Sequence, residues 1–283
     1  MILCDYNQMA IANVMQQTSG GIKNQLDANL IRHMVLNSLR SYAKQFRDKY
    51  GKIVIACDSK RYWRRDFFPF YKSHRKNDRE KSAIDWSLIF NTLAEIKDEL
   101  RENFPYKVME VDGAEADDII AVLVKNFHMK EDILILSADK DFVQLQKYKG
   151  VTQYSPILKR YMRVDNPQEY IQEHIIRGDR GDGIPNFLSP DNTFAVGERQ
   201  KVISKKKLSQ WIVTNPLDFC VTDTMLRGYK RNQMLVDLDF IPEKIADEIL
   251  ETYNTTKSAN KEKMINYLIE KKMKNLFSVA DEF

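Results

Sequence analysis

The chain has 283 residues, 43% hydrophobic and 30% charged, with a formal net charge of +4. That suits one large domain or a core with a smaller companion, and the net charge is too small to identify a partner. No apolar run approaches the roughly 20 residues of a membrane span, and Met1-Ile2-Leu3 is too short for a signal segment. Three cysteines without a C-x-x-C pair exclude a disulfide framework and point to a soluble chain in a reducing cytoplasm.

Strand Ile2–Cys4 opens the chain and runs into Asp5. Leu30, Met34, Leu39, Ala43 and Phe46 recur near helical period and predict a long helix from Leu26 to Tyr50, ended by Gly51. Strand Ile53–Cys57 runs into Asp58. A helix is expected over Ile84–Glu102, then strand Lys107–Val111, helix Ala116–Phe127, strand Ile133–Leu136 and a short strand near Val151–Tyr154. Alternating β and α argue for a mostly parallel sheet covered by helices on both faces. From about Pro167 the strands stop. The segments 167–177, 200–214, 216–236, 242–254 and 258–275 read as a smaller helical region, the last as a solvated amphipathic helix.

Four strands deliver carboxylates: Asp5, Asp58, the group Glu115, Asp117 and Asp118, and the pair Asp139 and Asp141. Parallel strands end on one edge, about 4.8 Å apart, where ligands of such sheets bind. Crowded carboxylates repel one another, and hard divalent cations relieve that repulsion. Asp118 also suits a helix cap. Asp179 and Asp182 lie in the loop Gly178-Asp-Arg-Gly-Asp-Gly-Ile-Pro185, whose glycines allow close approach to a phosphodiester. Lys60 to Lys81 holds nine Lys/Arg against three acids, with six aromatics among residues 62–71. More rings than one helical face can bury suggest stacking on single-stranded bases beside phosphate-contacting cations, Arg64 and Arg65 among them. Lys72 and Arg75 are spaced to share one phosphate. The histidines at 33, 74, 128 and 174 show no ligand spacing and read as structural or surface residues. Cys4 and Cys57 read as small core residues.

In order along the chain, Asp5, Cys-Asp58, Tyr-Trp-Arg-Arg-Asp-Phe (62–67), Tyr-Lys-x-x-Arg (71–75), Glu-Ala-Asp-Asp (115–118), Ser-Ala-Asp-Lys-Asp (137–141) and Gly-Asp-x-x-Asp-x-Ile-Pro (178–185) resemble the flap endonuclease family of 5′-nucleases, and within it the RNase H branch of T-even bacteriophages. The late stretch from Asp237 to Pro242 and on to Asn254 resembles that branch too. The resemblance implies a PIN-like (5′-nuclease) α/β domain over 1–165 with a basic helical arch at about 60–82. A helix-hairpin-helix-like duplex-binding region would follow over 166–283. It implies Mg²⁺-dependent, two-metal cleavage of RNA·DNA and DNA duplexes and of 5′ flaps, clearing RNA primers during phage replication, with Mn²⁺ able to substitute. Asp5, Asp58, Asp117 and Asp139 would hold one ion, with Glu115 and Asp118 alongside. Asp141, Asp179 and Asp182 would serve the second, and Lys72 and Arg75 the scissile phosphate.

Residues 186–200 lack the glycine spacing of a K⁺-binding hairpin, which speaks against a K⁺ site and leaves duplex contacts to Arg199, Lys201, Lys205, Lys206 and Lys207. Only four residues precede Asp5, which speaks against a sliding-clamp contact. A phage single-stranded-DNA-binding protein is the expected partner of the C-terminal region, and the chain is expected to be a monomer that acts in the host cytoplasm. Two other readings carry less: a PIN-type endoribonuclease would lack the basic block and helical tail, and a binding protein without catalysis would not keep every acid. A phosphatase of the Asp-x-Asp type is excluded by Asn7.

Overall fold

The computed structural model describes residues 1–19, 27–75 and 84–283. Lys76, Arg79 and Lys81 of the basic block, the far part of the expected arch, and the expected helix start at Leu26 lie outside these residues.

Six strands form one sheet in the order β3-β2-β1-β4-β5-β6: β1 (Ile2–Asp5), β2 (Ile53–Cys57), β3 (Lys107–Glu110), β4 (Ile133–Leu136), β5 (Val151–Ser155) and β6 (Arg160–Met162). The first five are parallel and β6 is antiparallel to β5. Strand residues alternate between two apolar layers. Ile2, Cys4, Ile53, Ile55, Leu134 and Leu136 face one, beneath α1 (Tyr6–Ser19), α2 (Ala28–Tyr50) and α4 (Trp86–Asn103). Leu3, Val54, Ala56, Ile133 and Ile135 face the other, beneath α5 (Ala116–Phe127). Burial on both faces explains why these strands read as continuous apolar runs.

Asp27 caps α2 by accepting the Leu30 N–H at 2.8 Å, and Asp85 caps α4 through Leu88 at 2.9 Å. Helix α1 was not expected. It is uncharged and rich in Asn and Gln, so its buried Tyr6, Met9, Ala10 and Val14 give a weak periodic signal.

The segment 62–75 crosses the carboxyl edge of the sheet as the short α3 (Trp63–Phe67) followed by turns, pinned to the end of β3 where the Trp63 N–H donates to the Gly113 carbonyl. Most of its rings do not stand free for bases: Phe68 and Tyr71 are buried and Tyr62 and Phe70 pack beside them, whereas Phe67 is exposed. A third apolar cluster takes up this strap together with α6 (Pro167–Arg177), α7 (Lys205–Ile212), α8 (Pro216–Phe219) and α9 (Asp223–Val236).

The stretches expected as single helices at 200–214 and 216–236 are shorter or divided, because Asn215-Pro216 and Thr222 each start a new cap. The last helices return to the sheet. Ile249 of α10 (Glu243–Thr255) joins the α5 layer. Met264 and Leu268 of α11 (Lys261–Glu270), Leu276 of α12 (Lys274–Phe277) and Phe283 join the opposite layer. The tail segment is therefore a covering element of the core and not a solvated helix. Residues from both sides of position 165/166 share the apolar clusters. The three cysteines are buried and unpaired, and no described helix is long and apolar enough to cross a membrane.

Helix α9 touches the 186–189 loop at Gly228, where an added Cβ would lie 2.0 Å from the Phe187 carbonyl oxygen. Gly228→Ala is therefore expected to lower the free energy of unfolding by about 2 kcal/mol or more, read from urea denaturation.

Candidate active site

Parallel registry brings the strand-end acids to one edge. A cleft of about 860 Å³ there is lined by Asp5, Asp58, Glu115, Asp117, Asp139, Asp141, Asp179 and Asp182, walled by α1 and overhung by Tyr62, Arg65, Lys72 and Arg75. The acids are held in place by local bonds. Asp5 accepts from the Gln8 N–H and the Ser137 hydroxyl, both at 3.1 Å. Asp58 accepts from the Ala116 N–H and the Asn7 amide, both at 2.8 Å. Asp139 caps the 3-10 helix Lys140–Lys147 by accepting the Asp141 N–H at 3.0 Å. Asp179 accepts the Asp182 N–H at 3.1 Å. Asp5, Asp58, Asp117 and Asp139 form one electrostatically linked group, and Asp141, Asp179 and Asp182 lie against it.

Two residues have other work than the sequence suggested. Asp118 is fully buried and off the cleft: it accepts from the Glu115 N–H and the Trp63 indole and faces Arg64 at 2.8 Å, so it is not a metal ligand. Arg64 is 2% exposed, donates to Glu115 at 2.9 Å and to the Leu235 carbonyl, and is not available to nucleic acid. Arg65 is exposed, lies over the Tyr62 ring and lines the cleft.

Lys72 adopts φ +54, fixed by its N–H donating to the Asp182 carbonyl at 2.7 Å. Backbone in this region is costly for a side chain and persists where surrounding bonds hold it. Its Nζ reaches Glu115 at 2.7 Å and Asp182 at 3.6 Å, and Arg75 pairs with Asp182. Glu115 and Asp182 are thus neutralised by the strap, whereas Asp5, Asp58, Asp117, Asp139 and Asp141 have no cationic Lys or Arg partner among the described residues. That oxygen-rich donor set fits divalent cations. Arg199, Lys201, Lys205, Lys206 and Lys207 are exposed and lie outside the cleft. His174, expected from the sequence to be structural or surface, lies with its Nε2 3.3 Å from Asp141 and 3.5 Å from Asp179. Its place in the last turn before Gly178-Asp179 is the sequence feature that brings it there.

Burial, then the charge of Asp58, pushes Asp5 up to about 7. Burial, then Asp139 and Asp5, raises Asp117 well above the carboxylate range, and burial with Asp139 and Asp182 does the same to Asp141. Burial acts on Asp182 in the same sense, yet Lys72 and Arg75 outweigh it and hold Asp182 low.

Residues 9–175 match the family described as 5′-3′ exonuclease, N-terminal resolvase-like domain, and residues 166–283 match T4 RNase H, C terminal. The chain therefore belongs to the 5′-3′ exonuclease and flap endonuclease family of nucleases. It is similar to ribonuclease H of Enterobacteria phage T4, at 33% identity over 291 residues that cover 99% of this chain and 95% of the relative. A 5′-3′ exonuclease of Buchnera aphidicola is 32% identical over 145 residues, 47% of each chain. Among solved structures, a bacteriophage T5 flap endonuclease complexed with DNA and metal ions aligns with TM-score 0.63 at 19% identity, covering 90% of this chain and 99% of that one. A zinc-bound T5 5′-exonuclease aligns with TM-score 0.65 at 18% identity, covering 91% and 99%.

Two outcomes are expected. Arg64→Ala strands Asp118 in the interior and removes one of the two cations on Glu115, and should cost about 3–5 kcal/mol of stability; unchanged denaturation with weakened DNA binding would restore Arg64 to the binding surface. The raised carboxyls, Asp5 at about 7 against 3.8 unfolded, keep their protons in the fold where the unfolded chain has lost them. Folding then takes up protons, so stability without divalent cations falls as pH rises between these values. Melting in chelator should show a falling Tm from about pH 5 to about pH 7.5, and Asp117→Asn should raise Tm at the upper end.

Proposed function

We propose that this nuclease uses two divalent cations, Mg²⁺ or Mn²⁺ in its place, to hydrolyse phosphodiesters at the 5′ ends of RNA·DNA hybrids and at 5′ flaps, clearing RNA primers in phage replication. The observation that carries this reading is the convergence of Asp5, Asp58, Asp117, Asp139, Asp141 and Asp179 in one cleft beneath Lys72 and Arg75. Asp5, Asp58, Asp117 and Asp139 would hold one ion, and Asp141 and Asp179 would serve the other. Bound there, the cations would neutralise the acids, lower the pKa of water and offset charge on the transition state.

The protein's own part is placement and charge. Lys72 and Arg75, paired with Glu115 and Asp182 in the free protein, would turn to the scissile phosphate, where preorganised cations act on charge as it develops. Arg65 beside Tyr62 would meet the single strand at the cleft mouth. Arg199, Lys201 and Lys205–Lys207 offer exposed positive charge for the duplex backbone. A K⁺ ion is not needed to organise the preceding loop: the Pro185, Asn186 and Ser189 carbonyls accept from the Arg231 guanidinium. The relation to phage ribonuclease H makes a single-stranded-DNA-binding protein the partner of interest for the C-terminal helices, in a monomer acting in the host cytoplasm.

The test is product sizing from a 5′-labelled flap and a 5′-labelled RNA·DNA hybrid, with and without Mg²⁺. Asp139→Asn combined with Asp141→Asn should leave under about 1% of the wild-type rate, and Lys72→Ala should lower kcat by about 10²-fold. A blocked 5′ end should abolish cutting; a circular or blocked substrate cut at the free-ended rate would favour a PIN-type endoribonuclease.

A further inference from the structure

His174 stands apart from the strand-end acids, in the last turn of α6. Gly178 closes that turn, its N–H donating to the His174 carbonyl at 2.8 Å with φ +68. An added Cβ at Gly178 would lie 2.4 Å from the Ile184 carbonyl oxygen, so the reversal requires glycine. It brings Asp179 back toward the imidazole, while Asp141 approaches from the 3-10 helix after β4. The Tyr170 ring lies nearly parallel to the imidazole, at 16° and 6.0 Å between centroids.

His174 Nε2 is 3.3 Å from Asp141 Oδ1 and 3.5 Å from Asp179 Oδ2. It is shielded from solvent and makes no hydrogen bond to either oxygen. One ligand atom from each of the three side chains lies within 4.8 Å of the others. Ligand atoms about 2.1 Å from a cation are separated by about 3.0–3.4 Å in octahedral or tetrahedral arrangements, close to both N–O separations here. Asp182, by contrast, is tied to Lys72 and Arg75.

We propose that His174 Nε2 is a metal ligand, forming with Asp141 and Asp179 a mixed nitrogen–oxygen site that favours Mn²⁺, Co²⁺ or Zn²⁺ over Mg²⁺. The inference rests on the reading of the cleft as a divalent-cation centre, and adds a ligand that changes its selectivity. Imidazole suits borderline transition ions, whereas Mg²⁺ prefers carboxylate and water oxygen. The site therefore differs chemically from the all-carboxylate group at Asp5, Asp58, Asp117 and Asp139, and the two positions of the cleft accept different ions.

The experiment is pulsed EPR of Mn²⁺ added to the full-length, substrate-free protein. Directly bound imidazole should give ¹⁴N modulation that changes to the ¹⁵N pattern when the wild-type chain carries ¹⁵N-histidine. In His174→Gln the modulation should vanish while Mn²⁺ still binds the carboxylates, and the Mn²⁺:Mg²⁺ affinity ratio from competition dialysis should fall by about tenfold or more. Bound Mn²⁺ without histidine coupling in the labelled wild type, or coupling that survives His174→Gln, overturns the ligand assignment and leaves the cation centre standing. No Mn²⁺ binding at all overturns both.

Discussion

Eight carboxylates line one cleft, and their mutual repulsion is the constraint to which the neighbouring segments answer. The strap 62–75 supplies the counter-charge from beneath and from the side. Arg64, sealed in the interior, bridges Glu115 and Asp118 at the start of α5. Lys72 spans Glu115 and Asp182, joining the strap to the 178–185 loop. Removing one partner of such a buried set is costly because the other charge is left without compensation. The carboxylates that remain without a Lys or Arg partner are the ones whose charge a bound cation can neutralise.

The same arrangement divides the basic block into two kinds of residue. Arg64 is structural, and its aromatic neighbours Phe68 and Tyr71 anchor the strap in the third apolar cluster. Arg65, Lys72 and Arg75 border the cleft, with Lys72 held in a left-handed conformation by a backbone bond to Asp182. Bonds from backbone and side chains hold the strand-end acids and the strap in place around the cleft.

The parallel core was legible because strands buried on both faces appear as short apolar runs, and the acids because each follows such a run directly. Helix α1 was hidden by its amide-rich, uncharged surface, and β6 is three residues long and half exposed. Arg64 and Asp118 were misassigned because a buried ion pair and an exposed binding residue share the same letters. Composition also cannot say which rings a third apolar cluster will absorb. The approach of His174 to Asp141 was hidden for a related reason. It lies 33 positions beyond Asp141, and only the Gly178 reversal and the packing of α6 against the 3-10 helix bring the two together.

The return of α10, α11 and α12 to the sheet has a consequence for folding. Ile249 completes one apolar layer, and Met264, Leu268, Leu276 and Phe283 complete the other. Without these helices, the layers beneath α1, α2 and α4 and beneath α5 would each lose part of their apolar cover. The sheet that carries the acidic edge is thus closed by contacts spanning the chain from Ile2 to Phe283, and non-local contacts of that kind form slowly.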